Sequence, residues 1–166
     1  MRAEEEIGRI ERELMALGRH VSVGGIGDCT RPPGDGRLER SAYLLLSRIE
    51  VAGPLSIGEL SDAFGLDAST VNRQTAAMSR SGLVERIADP AGGLARKFRA
   101  TPEGLARLHR HRAWLTRGLE RILTGWNDDD VRVLADSLAR LNEGIELAQR
   151  RARPAGEPPA DLAAEG

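Results

Sequence analysis

The chain has 166 residues, of which 40% are hydrophobic and 30% charged. These values fit one folded domain and exclude a disordered, collagen-like or membrane-embedded chain. The net charge of -1, from 24 basic and 25 acidic residues, gives no overall pull toward nucleic acid, and a single cysteine, Cys29, excludes an internal disulfide and points to a cytoplasmic location.

The opening residues, Met1 to Glu6, are acidic and read as neither a secretory signal nor a transit peptide. No apolar run approaches the roughly 18 residues needed to span a bilayer. A first helix is predicted over 4–21, because Ile7, Ile10, Leu14, Leu17 and Val21 step by three and four along one stripe. Residues 22–37 are rich in Gly, Pro and Asp and read as a long loop. A second helix is predicted from Leu38 to Ala52, with Ala42, Leu45, Leu46 and Ile49 inward and Gly53-Pro54 as its stop. Ser56-Ile-Gly-Glu59 is a capping box that starts a third, short helix, with Leu60 and Phe64 inward. Gly65-Leu66-Asp67 breaks the chain, and a fourth helix is predicted from Ala68 to Arg80 with Asp67 at its N-cap. Val71, Thr75 and Met78 form its inward face.

Leu83 to Ile87 and Leu94 to Ala100 read as two strands of a hairpin around Asp89-Pro90-Ala91-Gly92-Gly93. Thr101-Pro102 opens a fifth helix, predicted to run to Thr124. Asn127 caps a sixth, whose stripe is Leu134, Leu138, Leu141, Ile145 and Ala148. Residues 152–166, with Pro154, Pro158 and Pro159, read as a disordered tail.

The charge is unevenly spread. Between Ser69 and Arg112 stand nine basic residues (Arg73, Arg80, Arg86, Arg96, Lys97, Arg99, Arg107, Arg110 and Arg112) against Glu85, Asp89 and Glu103, a net of +6. Such a stretch makes a local positive field on a neutral molecule. The order of helix, turn, helix and basic hairpin matches a winged helix-turn-helix. Ser69, Thr70, Asn72, Arg73, Ala76 and Arg80 would face outward from its second helix, with Gln74 at the margin. Arg can grip guanine, and Asn or Gln adenine, in a major groove. Arg96, Lys97 and Arg99 on the hairpin can reach a minor groove, and Arg86 can hold a phosphate or brace the hairpin.

Three short pieces, ASTVNRQ at the fourth helix, GLVERI leading to DPAGG at the hairpin, and TPEG at the fifth helix, resemble the multiple-antibiotic-resistance regulator (MarR) family of bacterial transcription factors. The flanking helices follow the same plan. The resemblance implies a mainly α fold with a small β-hairpin wing. Residues 1–53 would supply N-terminal helices for dimerisation and support, 54–101 the winged helix-turn-helix lobe, and 102–151 C-terminal dimerisation helices. It implies a homodimer, double-stranded DNA with a pseudo-palindromic operator as the partner, and a repressor role released by a small aromatic effector. The DNA-contacting candidates are Ser56, Ser69, Thr70, Asn72, Arg73, Gln74, Arg86, Arg96, Lys97 and Arg99; His20 and Tyr43 are candidates for an effector site. The family's wing tip commonly carries Asp-x-Arg, where this chain has Gly92 and Leu94, which leaves Arg96 or Lys97 to take the minor-groove role.

The chemistry-bearing residues point to no enzyme, metal or cofactor. His109 and His111 lie two apart on a helix and face different ways, whereas a metal pair needs a spacing of four. Asp128 to Asp130 suit a helix start as dipole partners. Cys29 has no CxxC partner, and the redox cysteines of MarR relatives lie near the start of the first helix. Trp114 and Trp126 suit a dimer core or a ligand cavity. The alternative reading is a winged-helix protein-interaction module that binds an acidic partner without sequence-specific DNA binding.

Overall fold

The computed structural model describes residues 2–22 and 38–152. The expected loop with Cys29, and the expected tail beyond Ala152, lie outside the described residues. The elements are α1 (Arg2–Ser22), α2 (Arg40–Ala52), β1 (Leu55–Ser56), α3 (Ile57–Phe64), α4 (Ala68–Arg80), β2 (Val84–Ile87), β3 (Lys97–Ala100), α5 (Pro102–Ile122) and α6 (Asp128–Ala152).

The helix starts follow from local hydrogen bonding. At α3 the Ser56 hydroxyl accepts from the Glu59 amide at 3.2 Å, and the Glu59 carboxylate accepts from the Ser56 amide at 2.7 Å. Thr101 caps α5 by accepting from the Gly104 amide at 2.9 Å, with Pro102 at the first helical position. Asn127 caps α6 by accepting from the Asp130 amide at 2.8 Å. Asp67 holds the N-cap position of α4, but its side chain makes no capping bond; only its backbone carbonyl serves Thr70 and Val71. Gly65 ends α3 at φ +62°, a left-handed conformation that costs glycine least.

The hydrophobic core joins α2, α3, α4, the sheet and the start of α5. Leu45, Leu46, Leu60, Val71 and Leu108 are fully enclosed, with Met78, Leu83, Val84 and Phe98 around them. Among the described residues the buried polar side chains are Ser56, held in its capping box, and Thr75, whose hydroxyl donates to the Val71 carbonyl at 2.9 Å. Gly104 sits where α5 meets the Leu83 carbonyl so closely that a Cβ would overlap it.

The expected hairpin is a three-stranded antiparallel sheet, in the order β1-β3-β2. The unforeseen strand β1 pairs Leu55 with Phe98 and Ser56 with Lys97; across the hairpin Glu85 faces Arg99 and Ile87 faces Lys97. The second strand of the hairpin begins at Lys97 rather than Leu94. Leu94 to Arg96 therefore extend the wing turn.

The terminal helices are different in kind. α1 and α6 pack only sparsely on the other described elements. On α1, Ile7 is 65% and Ile10 51% exposed, with Leu14, Met15 and Leu17 also open; on α6, Val133, Leu138, Ile145 and Leu147 are exposed. No helix among the described residues is long and apolar enough to cross a membrane.

Candidate nucleic-acid interface

α4 is fixed from behind. Val71, Thr75 and Met78 face the core, as their spacing requires. Its other side is polar: Ser69, Asn72, Arg73 and Arg80 are exposed, and Thr70 and Ala76 are half-buried. Gln74 lies at the margin, half-buried, with its side-chain carbonyl enclosed and unpartnered among the described residues. The turn before α4 is held by the Leu66 amide donating to the Ser61 carbonyl at 3.2 Å and by the Ser61 hydroxyl donating to the Leu66 carbonyl.

The nine cations of the basic stretch divide in a way that spacing alone does not reveal. Arg73, Arg80, Arg86 and Arg96 are exposed and make no ion pair among the described residues. Arg99 donates twice to one Glu85 oxygen across the hairpin, at 2.8 and 3.0 Å. Lys97 meets Glu59 at 3.1 Å and Asp89 at 3.5 Å. Arg110 meets Glu103 at 3.3 Å, and Arg112 meets Glu50 at 2.8 Å. Arg107 is half-buried.

Three of the DNA candidates are thus placed apart from the open cations. Ser56 is buried, and its hydroxyl is occupied in the capping box. Lys97 lies between two carboxylates, and Arg99 is matched to Glu85. Burial pushes the Glu59 carboxyl up, but its bonds from the Ser56 amide and Lys97 outweigh this and hold it below the ordinary glutamate range. Glu59 in turn raises the Lys97 pKa. At the wing tip, Leu94 stands wholly in solvent.

The two effector candidates do not meet. His20 is exposed on α1 and makes no ring contact with Tyr43, which is half-buried on α2. Tyr43 instead lies 5.1 Å from the His111 ring of α5, and His111 lies 5.3 Å and edge-on to the buried Trp114. Beside them Glu50 of α2 receives His109 and Arg112 of α5. The bond from His109 first, and that from Arg112 second, hold the Glu50 carboxyl below its ordinary pKa. This seam between α2 and α5 was not anticipated. The spacing of His111 and Trp114, three apart on one helix face, was the available signal. Among the described residues no three His, Cys, Asp or Glu side chains converge as a metal site would require.

The sequence model of the MarR family matches residues 38–91. An uncharacterized HTH-type transcriptional regulator of Bacillus subtilis (strain 168), YxaD, is 34% identical over 110 residues, covering 66% of this chain and 77% of that protein. The chain belongs to the MarR family. It is a helix-turn-helix transcriptional regulator, in a family of DNA-binding proteins that are not enzymes. The fold agrees: a MarR family protein from Bacillus stearothermophilus superposes with a TM-score of 0.70 at 22% identity, over 86% of this chain and 96% of that one. The PcaV transcriptional regulator from Streptomyces coelicolor, solved with its natural ligand, superposes at 0.56 and 21% identity, over 82% of this chain and 91% of that one. The expected mainly α architecture with a small β wing is the architecture found, with the added strand β1.

Proposed function

We propose that this MarR-family regulator is a cytoplasmic homodimeric repressor that binds an inverted-repeat operator through two copies of α4. Ser69, Thr70, Asn72, Arg73 and Gln74 contact bases and phosphates in each major groove. Arg86 and Arg96 serve the flanking backbone and minor groove. The observation that carries this reading is the outward side of α4: Asn72, Arg73 and Arg80 are open and free of described ion pairs, while Val71, Thr75 and Met78 seat the helix rigidly behind them. Rigid seating matters because base readout needs donors held at fixed positions.

Dimerisation rests on the exposed apolar stripes of α1 and α6, which a lone subunit leaves in water at a cost of about 25 cal/mol per Å². The two-fold pairing of copies matches an inverted repeat with half-sites about one helical turn apart. A small aromatic effector, in keeping with the liganded PcaV relative, would act at the side of α2 that carries Tyr43 and relieve repression.

The test is a gel shift on the upstream intergenic DNA at several salt concentrations. Binding that weakens linearly in log–log form, with a slope of about -0.9 per neutralised phosphate, is the expected result. A protein that ignores this DNA at low salt and captures an acidic protein instead would overturn the reading.

A further inference from the structure

Lys97 is the chain's sole lysine, and its position is unlike that of the arginines around it. It lies in the middle strand of the sheet, between Ser56 of β1 and Ile87 of β2. From there its ammonium reaches Glu59 Oε1, in the first turn of α3, at 3.1 Å and Asp89 Oδ1, at the start of the wing turn, at 3.5 Å. The site is sheltered on one side only: the Lys97 side chain is 17% and that of Asp89 12% exposed, whereas that of Glu59 is 45% exposed. Both carboxylates have second duties. Glu59 Oε2 accepts from the Ser56 amide at 2.7 Å and closes the α3 capping box, and Asp89 Oδ1 accepts from the Ala91 amide at 3.0 Å and shapes the wing turn. One ammonium therefore ties the first helix of the helix-turn-helix to the turn of the wing. Two carboxylates against one ammonium leave this cluster net negative, which is the wrong sign for a phosphate site. The neighbouring Arg96 is exposed and has no described ion pair.

We propose that Lys97 is a positioning residue: it sets the angle of the wing by clamping Asp89 to Glu59, and Arg96 is the wing's DNA-contacting cation. The DNA half of this statement rests on the operator-binding reading above; the clamp does not. Without the ammonium, Glu59 and Asp89 face each other as like charges in a partly enclosed site, and the wing turn loses its tie to α3. A phosphate contact would behave otherwise, since its loss changes the salt dependence of binding.

Two measurements on the intact protein separate these roles. In the free protein, amide hydrogen exchange is compared for wild type, Lys97→Met, Lys97→Arg and Asp89→Asn. Lys97→Met is expected to speed exchange at Ala91 and Gly92 by about ten-fold, with the core of α4 at Val71 and Thr75 unchanged. Asp89→Asn breaks the clamp from the other side and shows the same local effect should Lys97→Met fold poorly; Lys97→Arg restores protection. Wing amides that exchange at the wild-type rate in both Lys97→Met and Asp89→Asn overturn the clamp. On operator DNA, Lys97→Met is expected to weaken binding several-fold, to lose hydroxyl-radical protection at the wing's minor groove, to keep protection under α4, and to leave the salt slope unchanged. Arg96→Ala lowers the slope by about one. A slope lowered by about one in Lys97→Met instead assigns Lys97 to a phosphate and overturns the proposal. If wild type shows no protection on DNA, the operator-binding reading fails, and hydrogen exchange alone decides the clamp.

Discussion

The central lobe and the terminal helices are built on opposite principles. From α2 to the start of α5, one core encloses Leu45, Leu46, Leu60, Val71 and Leu108, although Val51 and Leu94 stay in solvent; the buried Thr75 hydroxyl has its acceptor, and helix starts are closed by Ser56 and Thr101. α1 and α6 carry stripes of the same period but leave Ile7, Ile10, Leu138 and Ile145 in solvent. Amphipathic periodicity says that a helix buries one face and does not say against what. In the lobe the partner is the same chain; in the terminal helices the partner is, on the reading above, a second copy.

Substitutions can break this comparison. The largest effect is expected from a charge placed in an open stripe. Ile10→Asp should raise the dimer dissociation constant about a hundredfold or more, because an unpaired buried carboxylate costs several kcal/mol. Sedimentation equilibrium would read the change, with the circular dichroism of the lobe retained. A wild-type protein that sediments as a monomer at micromolar concentration would remove the distinction altogether. In the lobe, Leu46→Ala should cost about 2–5 kcal/mol of folding stability, measured by urea unfolding, with pairing through α1 and α6 intact. Gly104→Ala should cost about 1–3 kcal/mol, since α5 must move off the Leu83 carbonyl to make room.

The smallest effect concerns the α2–α5 seam and acid. Glu50 has a lower pKa in the folded protein than in the unfolded chain. Its contribution to stability is therefore fully present above the ordinary glutamate value of about 4.3 and is lost as pH falls below it through the folded value. Melting temperatures of wild type and Glu50→Gln should converge on acidification through that range. Curves that stay parallel would show that the ion pairs of Glu50 with His109 and Arg112 add nothing to stability.

What could be read from the sequence was local. The range Ala68–Arg80 of α4 and the caps at Ser56, Thr101 and Asn127 depend on residues within a few positions of one another, and short-range hydrogen bonding decides them. Asp67 shows the limit of that rule, since a favourable residue stands at the N-cap without making the bond. Strand β1 was missed because two residues carry no periodicity of their own, and their pairing depends on β3, far along the chain. The division of the basic stretch into open and matched cations was hidden for the same reason. Lys97 and Glu59 are 38 positions apart, and Arg99 meets Glu85 only once the hairpin register is set. His20 and Tyr43 are effector candidates through the resemblance, and the ring contact of Tyr43 with His111, 68 positions on, is likewise invisible in local spacing.

The central claim is that the open side of α4 reads DNA from each half of a dimer, and Arg73 tests it most directly. Wild type and Arg73→Ala would be titrated on the same operator and on single-base variants of it, with the dimeric state of both verified by sedimentation. Arg73→Ala is expected to bind the operator about 1–3 kcal/mol more weakly and to lose discrimination at one base position in each half-site. Equal affinity and equal discrimination in the two proteins would contradict the placement of α4 in the major groove.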